Sequence, residues 1–325
     1  MWEVWSVLPA VGRRVLTVAV FIAVGVSLAN LLVAFGLIEQ IARGSKYLTR
    51  PANLPDEVGS AIVTTAASTT AGYGMLADFR EAGRLSDRAT LVAVTVNTFF
   101  GFVQHIFTFY APVLIPILGV EVGLLYVGSR AAIALAITLA GVLAGALLLS
   151  TPDGRGSAMP VEADGGGVGR EYPETTRGKL SYAARTGYEK TRSILPRLAG
   201  IYAIVAVLTA NIDVTRATSA AEPLVAVLGL PGAALPVVAV FALDTTNGAL
   251  FLSSLPAGTF TPREAVATML VGGIVSFAVS TFKRSIPFQY GIWGAEFGSK
   301  VILVNTTLKL GFIATAVALL LFSPV

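Results

Sequence analysis

Long apolar runs separated by short polar breaks dominate the chain. Val15 to Ile41, Ala89 to Tyr110, Ala131 to Ser150 and Leu310 to Phe322 meet or approach the roughly 20 apolar residues needed to cross a hydrocarbon core of about 30 Å. Several such runs predict a multi-pass protein of the cell membrane. Arg13 and Arg14 precede the first run, as they would in a secretory signal peptide. That run is about twice the length of a signal's apolar region. Trp2 and Trp5 before it suit an interfacial anchor, because indole rings prefer the headgroup layer. Residues 1–42 therefore read as a retained segment.

One hydrophilic stretch, about Thr151 to Arg192, interrupts the apolar pattern and divides the chain into residues 1–150 and 193–325. It holds Gly154, Gly156 and the run Gly165-Gly166-Gly167, and its basic and acidic residues nearly balance, so residues 151–192 read as a solvated linker. The two flanking parts repeat one another. At an offset of 176, Pro55 matches Pro231, and Ser68-Thr69-Thr70-Ala71-Gly72 matches Asp244-Thr245-Thr246-Asn247-Gly248. At an offset of 175, Arg88 matches Arg263, Phe102 matches Phe277 and Phe107 matches Phe282. Pro112, Gly119, Glu121 and Gly123 then recur as Pro287, Gly294, Glu296 and Gly298, a Pro-x6-Gly-x-Glu-x-Gly pattern in each half.

The expected fold is all-α and polytopic, with about ten transmembrane or re-entrant helices in two pseudo-symmetric repeats. The expected spans are 15–42, 55–77, 87–111, 112–128 and 129–150, then 194–212, 224–255, 262–286, 287–304 and 305–323. Five full crossings per half would place the halves in opposite orientations, and a re-entrant pair would remove that inference. Arg43, Lys46 and Arg50 follow the first helix while Arg80, Arg84 and Arg88 follow the second, so positive charges do not set the orientation. A cytoplasmic linker is the expectation.

Composition narrows the function classes. The 325 residues are 54% hydrophobic and only 13% charged, against about 25% charged in soluble domains, and the mean hydropathy is +0.75. There is no cysteine, so disulfides, thiolate metal sites and cysteine nucleophiles are excluded. The net charge of +4 is spread over short loops without interleaved aromatics, which fits lipid headgroups better than nucleic acid. No Walker, GxGxxG, nucleophile-elbow or His-Glu-x-x-His motif occurs, so neither ATP-driven transport nor an enzyme is expected. No cofactor is expected beyond H⁺ or Na⁺ as a coupling ion, and a homo-oligomer is compatible with the pattern.

The chemistry is expected where helix two of each half breaks. Ser68, Thr69 and Thr70 in one half, and Asp244, Thr245, Thr246 and Asn247 in the other, stand in apolar sequence beside glycines. Broken helices there would leave dipole ends for ions and polar ligands. The alternative is a face of small residues that lets helices approach closely. Asp244 would bind a cation, carry a proton, accept from a substrate hydroxyl, or simply cap the helix after it. Asn97, Gln104 and His105 share a helical face by spacing. His105, the only histidine, fits a proton or hydrogen-bonding role or a satisfied core position. Lys283 and Arg284 would neutralise an anionic substrate or snorkel to headgroups, and Gln289 stands beside them. Glu121 and Glu296 would be symmetric coupling sites, or helix-end residues paired with Arg130 and Lys300.

At Leu228-Gly229-Leu230-Pro231-Gly232 and Asp244-Thr245-Thr246-Asn247-Gly248 the chain resembles the nucleoside recognition, or Gate, domain family. The stretch from Phe277 to Gly298, with Ser285-Ile286-Pro287 and Tyr290-Gly291-Ile292-Trp293-Gly294, is similar to the family's polar-aromatic segment, and Pro55 to Gly123 repeats it faintly. The resemblance implies kinship with concentrative nucleoside carriers, the pore region of ferrous iron permeases and spore maturation membrane proteins. One domain name thus spans several substrates. With no GTPase domain and few soft ligands, iron ranks below an organic solute. The leading expectation is an ion-coupled permease for a small polar solute such as a nucleoside, with a metal-ion permease, a non-transporting scaffold and a lipid-handling protein as alternatives.

Overall fold

A computed structural model describes residues 2–36, 46–150, 173, 175–211, 225, 227–281 and 285–323. The described elements are helical, with no strand among them. In chain order they are α1 (Trp2–Ala34), α2 (Lys46–Thr49), α3 (Asp56–Ala67), α4 (Thr69–Glu81), α5 (Asp87–Val96), α6 (Thr98–His105), a π-helical segment (Ile106–Leu114), α7 (Ile115–Leu118) and α8 (Val120–Leu148). After the hydrophilic segment come α9 (Thr176–Asn211), α10 (Ala234–Leu243), α11 (Thr245–Ser254), α12 (Pro262–Ser280) and α13 (Ile286–Phe322).

Among the described residues, four helical stretches are long and apolar enough to cross a membrane: Val11–Leu32, Asp87–Leu118, Val120–Leu148 and Ile286–Phe322. Their outward faces are apolar too. On α8, Leu135, Leu139, Leu143 and Leu147 fall four residues apart and are all exposed, a continuous greasy stripe that soluble monomers rarely show. Leu16, Val20, Val24 and Leu28 do the same on α1. Hydrocarbon is the solvent these faces suit.

Several expected boundaries move. The span expected at 55–77 is two helices, α3 and α4, meeting at Ser68 and running on to Glu81. Pro112 does not end the third helix; the chain passes through it as a π-helical segment to Leu114. A proline ring collides with the carbonyl one α-turn back, and the wider π turn relieves that collision. The expected joint at 128/129 is absent, because α8 is continuous from Val120. The joint instead lies at Gly119, whose φ of 84° and ψ of 164° suit only glycine. The expected joint at 304/305 is likewise absent, and α13 kinks at Gly294, with φ 73° and ψ 166°. Helix α9 begins at Thr176, inside the stretch read as linker.

Local geometries recur at the sequence offsets. Ser68 (φ −147°, ψ 108°) and Asp244 (φ −154°, ψ 124°) are extended single-residue breaks, each capping the next helix through its side chain. Four residues on, Gly72 and Gly248 lie against the helix before the break. A Cβ there would sit 2.7 Å from Ala61 O or 2.5 Å from Phe241 Cα. Ser86 and Thr261 cap α5 and α12 in the same way.

The two halves interlock. One apolar cluster gathers Ile22 of α1, Tyr126 and Ile137 of α8, Leu198 of α9, Phe241 of α10, Leu270 of α12 and Ile313 of α13. The other gathers Ile62, Leu76, Val96 and Phe100 of the first half and is completed by Trp293, Phe297 and Val301 of α13. At its edge the Arg80 guanidinium lies 4.0 Å from the Phe297 ring centre. Asp87 takes Arg80 at 2.8 Å and Lys300 at 3.6 Å. Helices α1 and α9 pack along each other; a Cβ on Gly187 would lie 2.7 Å from Ala23 O, so glycine permits that approach.

Candidate functional site

Each break aims the N-terminus of a short helix at a cavity. At the first, Ser68 Oγ accepts from Ala71 N at 3.4 Å, and Thr69 Oγ1 donates to Gln104 Oε1 at 2.9 Å, tying α4 to α6. At the second, Asp244 Oδ1 accepts from Asn247 N at 2.8 Å. The cap leaves Thr245 and Thr246 at the start of α11, where backbone N–H groups and the helix dipole give a partial positive charge.

A cavity of about 220 Å³ lies against the first break, lined by Thr69, Asn97, His105, Arg130, Asn305 and Lys309 among others. A second, of about 460 Å³, lies against the other break and is lined by Asp244, Thr245, Thr246, Tyr126, Ser276 and others. His105, Tyr110, Arg130 and Phe277 line both. The two spaces therefore adjoin, and their combined size enters the range of roughly 300–1,000 Å³ typical of small-molecule sites. An aromatic row, Phe102 to Tyr110 (5.1 Å), Tyr110 to Tyr126 (6.0 Å) and Tyr126 to Phe241 (6.4 Å), runs from the first cavity to the second.

Asn97 joins α5 to α6 and is 1% exposed. Its Nδ2 donates to Thr65 Oγ1 at 2.7 Å, which itself donates to Ala61 O at 2.9 Å. Asn97 Oδ1 and Asn247 Oδ1 are both buried with no hydrogen-bond partner among the described residues, one beside each break. Unpaired buried acceptors are uncommon and call for a ligand, ion or water. His105 Nδ1 lies 3.0 Å from Gly101 O, leaving Nε2 as its other polar atom.

Other expected residues lie elsewhere. Thr70 is exposed and lines neither cavity. Gln289 accepts from Trp293 Nε1 at 2.8 Å within α13. Glu121 and Glu296 are exposed in the turn after the kinked glycines, outside both cavities. Glu296 takes Lys300 at 3.2 Å, while Glu121 makes no ion pair among the described residues. Lys283 and Arg284 lie outside the described residues.

Arg130, Lys309 and Asn305 were not singled out as site residues from the sequence, and they supply the cavity's most unusual chemistry. Lys309 stands about 20 Å from Phe322 at 1.5 Å per residue, near the middle of the straight part of α13. Arg130 is about 15 Å into α8. A cation at such depth in an apolar helix costs about 2.5–3.5 kcal/mol on insertion scales. The available signal was an isolated charge within each apolar run, together with the offset of 175 that pairs Arg130 with Asn305.

The chain is similar over most of its length to two proteins of Methanocaldococcus jannaschii. It is 23% identical over 302 residues to the uncharacterized protein MJ0871, covering 90% of this chain and 89% of that protein. It is 22% identical over 303 residues to the uncharacterized protein MJ0880, covering 88% of this chain and 91% of that protein. No family model matches the chain, and no solved structure does.

Proposed function

We propose that this chain is an ion-coupled membrane transporter for a small polar solute, of the nucleoside recognition type, with its site between two broken helices of an inverted repeat. The observation that carries this reading is the pair of adjoining cavities, each receiving a helix break, with four lining residues in common. Matching dihedrals at Ser68 and Asp244, and at Gly119 and Gly294, support the repeat. Broken helices meeting at such a site are how many secondary transporters hold solute and ion together. Asp244 carries the coupling H⁺ or Na⁺, since it is the cavities' one acidic lining residue among those described. Uptake of radiolabelled solutes into proteoliposomes tests this. Asp244→Ala and Thr245→Ala, folded as judged by gel filtration, are expected to abolish uptake; undiminished uptake would remove both from the mechanism.

A second observation favours a lipid-handling reading. An apolar groove of about 460 Å³ runs between α5, α8 and α13, lined by Leu91, Ala140, Ala144, Leu303 and Leu308 among others. Phospholipid retained through purification and lost in Ala144→Trp would support it, whereas delipidated protein with full uptake would count against it.

A further inference from the structure

Resting on the reading of the adjoining cavities as a solute site, we infer that the cavity beside Ser68 binds the anionic group of the solute, a carboxylate or a phosphate, between Arg130 and Lys309. The cavity's described lining holds these two cations and no acidic residue. Neither cation forms an ion pair among the described residues. Their partners among the described residues are neutral. Arg130 Nη2 donates to Tyr110 Oη at a long 3.4 Å, and Lys309 Nζ lies 5.0 Å from the Phe277 ring centre. Buried charges are ordinarily paired. Two half-buried cations without an ion pair among the described residues, facing one small cavity in helices otherwise this apolar, leave an anion as the missing partner.

The rest of the lining fits the same group. Thr69 opens α4, whose cap is the neutral Ser68 and whose first turn holds no acidic residue, so the positive end of that helix dipole is not neutralised from its own helix. At the matching break the cap is Asp244, which places a carboxylate at that helix end. The two breaks are therefore electrically unlike. Arg130 reaches both cavities, but Lys309 lines only the Ser68 side and Asp244 only the other, so the Ser68 side suits an anion and the Asp244 side a cation, a division that lets one protein carry an anionic solute with a coupling cation. Asn305, on the same face of α13 as Lys309, offers an amide donor to the same space. A neutral nucleoside would leave Arg130 and Lys309 uncompensated. The solute is accordingly narrowed to one that bears an oxyanion.

Binding is measured separately from transport, by the melting temperature of the purified full chain in detergent. Disodium succinate, inorganic phosphate and uridine are compared at matched ionic strength against sodium chloride. Succinate or phosphate is expected to raise the melting temperature by about 2 °C or more. Which of the two acts distinguishes a carboxylate from a phosphate. Arg130→Gln and Lys309→Gln are expected to weaken that response at least tenfold in apparent affinity, while Lys309→Arg retains it and the exposed control Lys300→Gln does not change it. If either Gln variant fails to fold, the comparison of Lys309→Arg with Lys309→Met decides. Stabilisation by uridine alone, no stabilisation by either anion, or an anion response equal in wild type and the neutral variants would overturn the inference. Anion binding without uptake would keep this inference and remove the transport reading; uptake of a neutral solute would do the reverse.

Discussion

Thr65→Val probes the polar joint that holds α3 to the junction of α5 and α6. Thr65 and Asn97 are 0% and 1% exposed, and the substitution keeps shape while removing the oxygen that accepts from Asn97 Nδ2 at 2.7 Å. Hydrogen bonds between membrane helices average about 0.6 kcal/mol, with a maximum near 1.7, because the reference state finds other partners. Here Asn97 Oδ1 already lacks a partner among the described residues, so the variant also removes the hydrogen bond that the buried amide donates through Nδ2. An orphaned buried donor costs about 1–3 kcal/mol. The two ranges overlap at about 1–1.7 kcal/mol, roughly a 5- to 18-fold loss in the apparent folding constant. SDS titration from mixed micelles, followed by tryptophan fluorescence, reads it. Replacing both partners, Thr65→Val with Asn97→Leu, removes the stranded group and is expected to recover at least 0.5 kcal/mol, a coupling of the size contacting residues show, on the order of 0.5–3 kcal/mol. A neutral Thr65→Val, or strictly additive single changes, would refute the account of this joint.

Two further substitutions read the breaks. Gly248→Ala places a Cβ 2.5 Å from Phe241 Cα and is expected to destabilise by about 1–3 kcal/mol, whereas Gly128→Ala, with nothing within 4 Å, is expected to be neutral or up to about 1 kcal/mol stabilising; equal effects in the same titration would contradict the close approach. Gly294→Ala meets no atom within 4 Å, so its loss, about 1–3 kcal/mol, comes from backbone strain at φ 73° alone. Gly291→Ala, equally open, is the control expected to show none of it.

What the sequence disclosed and what it hid have separate physical origins. Apolar run length is a direct consequence of bilayer thickness, so the spans beginning near Ala89 and ending at Ser150 and Phe322 were legible. Ser68 and Asp244 were legible as breaks, because a capping side chain three residues before an amide, with glycine beyond, has few other uses inside apolar sequence. Pro112 misled, since a π turn accommodates a proline that an α turn would not, and nothing local signals the change. Glu121 and Glu296 attracted attention by recurring, yet the recurring feature is the positive-φ glycine two residues before each. Arg130 reads in the sequence only as a helix-end partner for Glu121, and Lys309 does not stand out at all, because a single cation barely alters the hydropathy of a long apolar window. Their significance arises from packing, which sets α8 beside α13 and points both residues into one space.

The absence of native cysteine makes solvent access to that space directly measurable. Thr69→Cys, Thr245→Cys and Asn305→Cys, each in otherwise unaltered protein in proteoliposomes, are to be treated with a charged, water-soluble thiol reagent. Leu139→Cys and Leu303→Cys, on the exposed apolar faces of α8 and α13, serve as references. A polar site between the two breaks predicts that the three cavity cysteines label and the two lipid-facing ones do not. Cavity positions as unreactive as Leu139 and Leu303 would contradict it and reduce the breaks to packing joints.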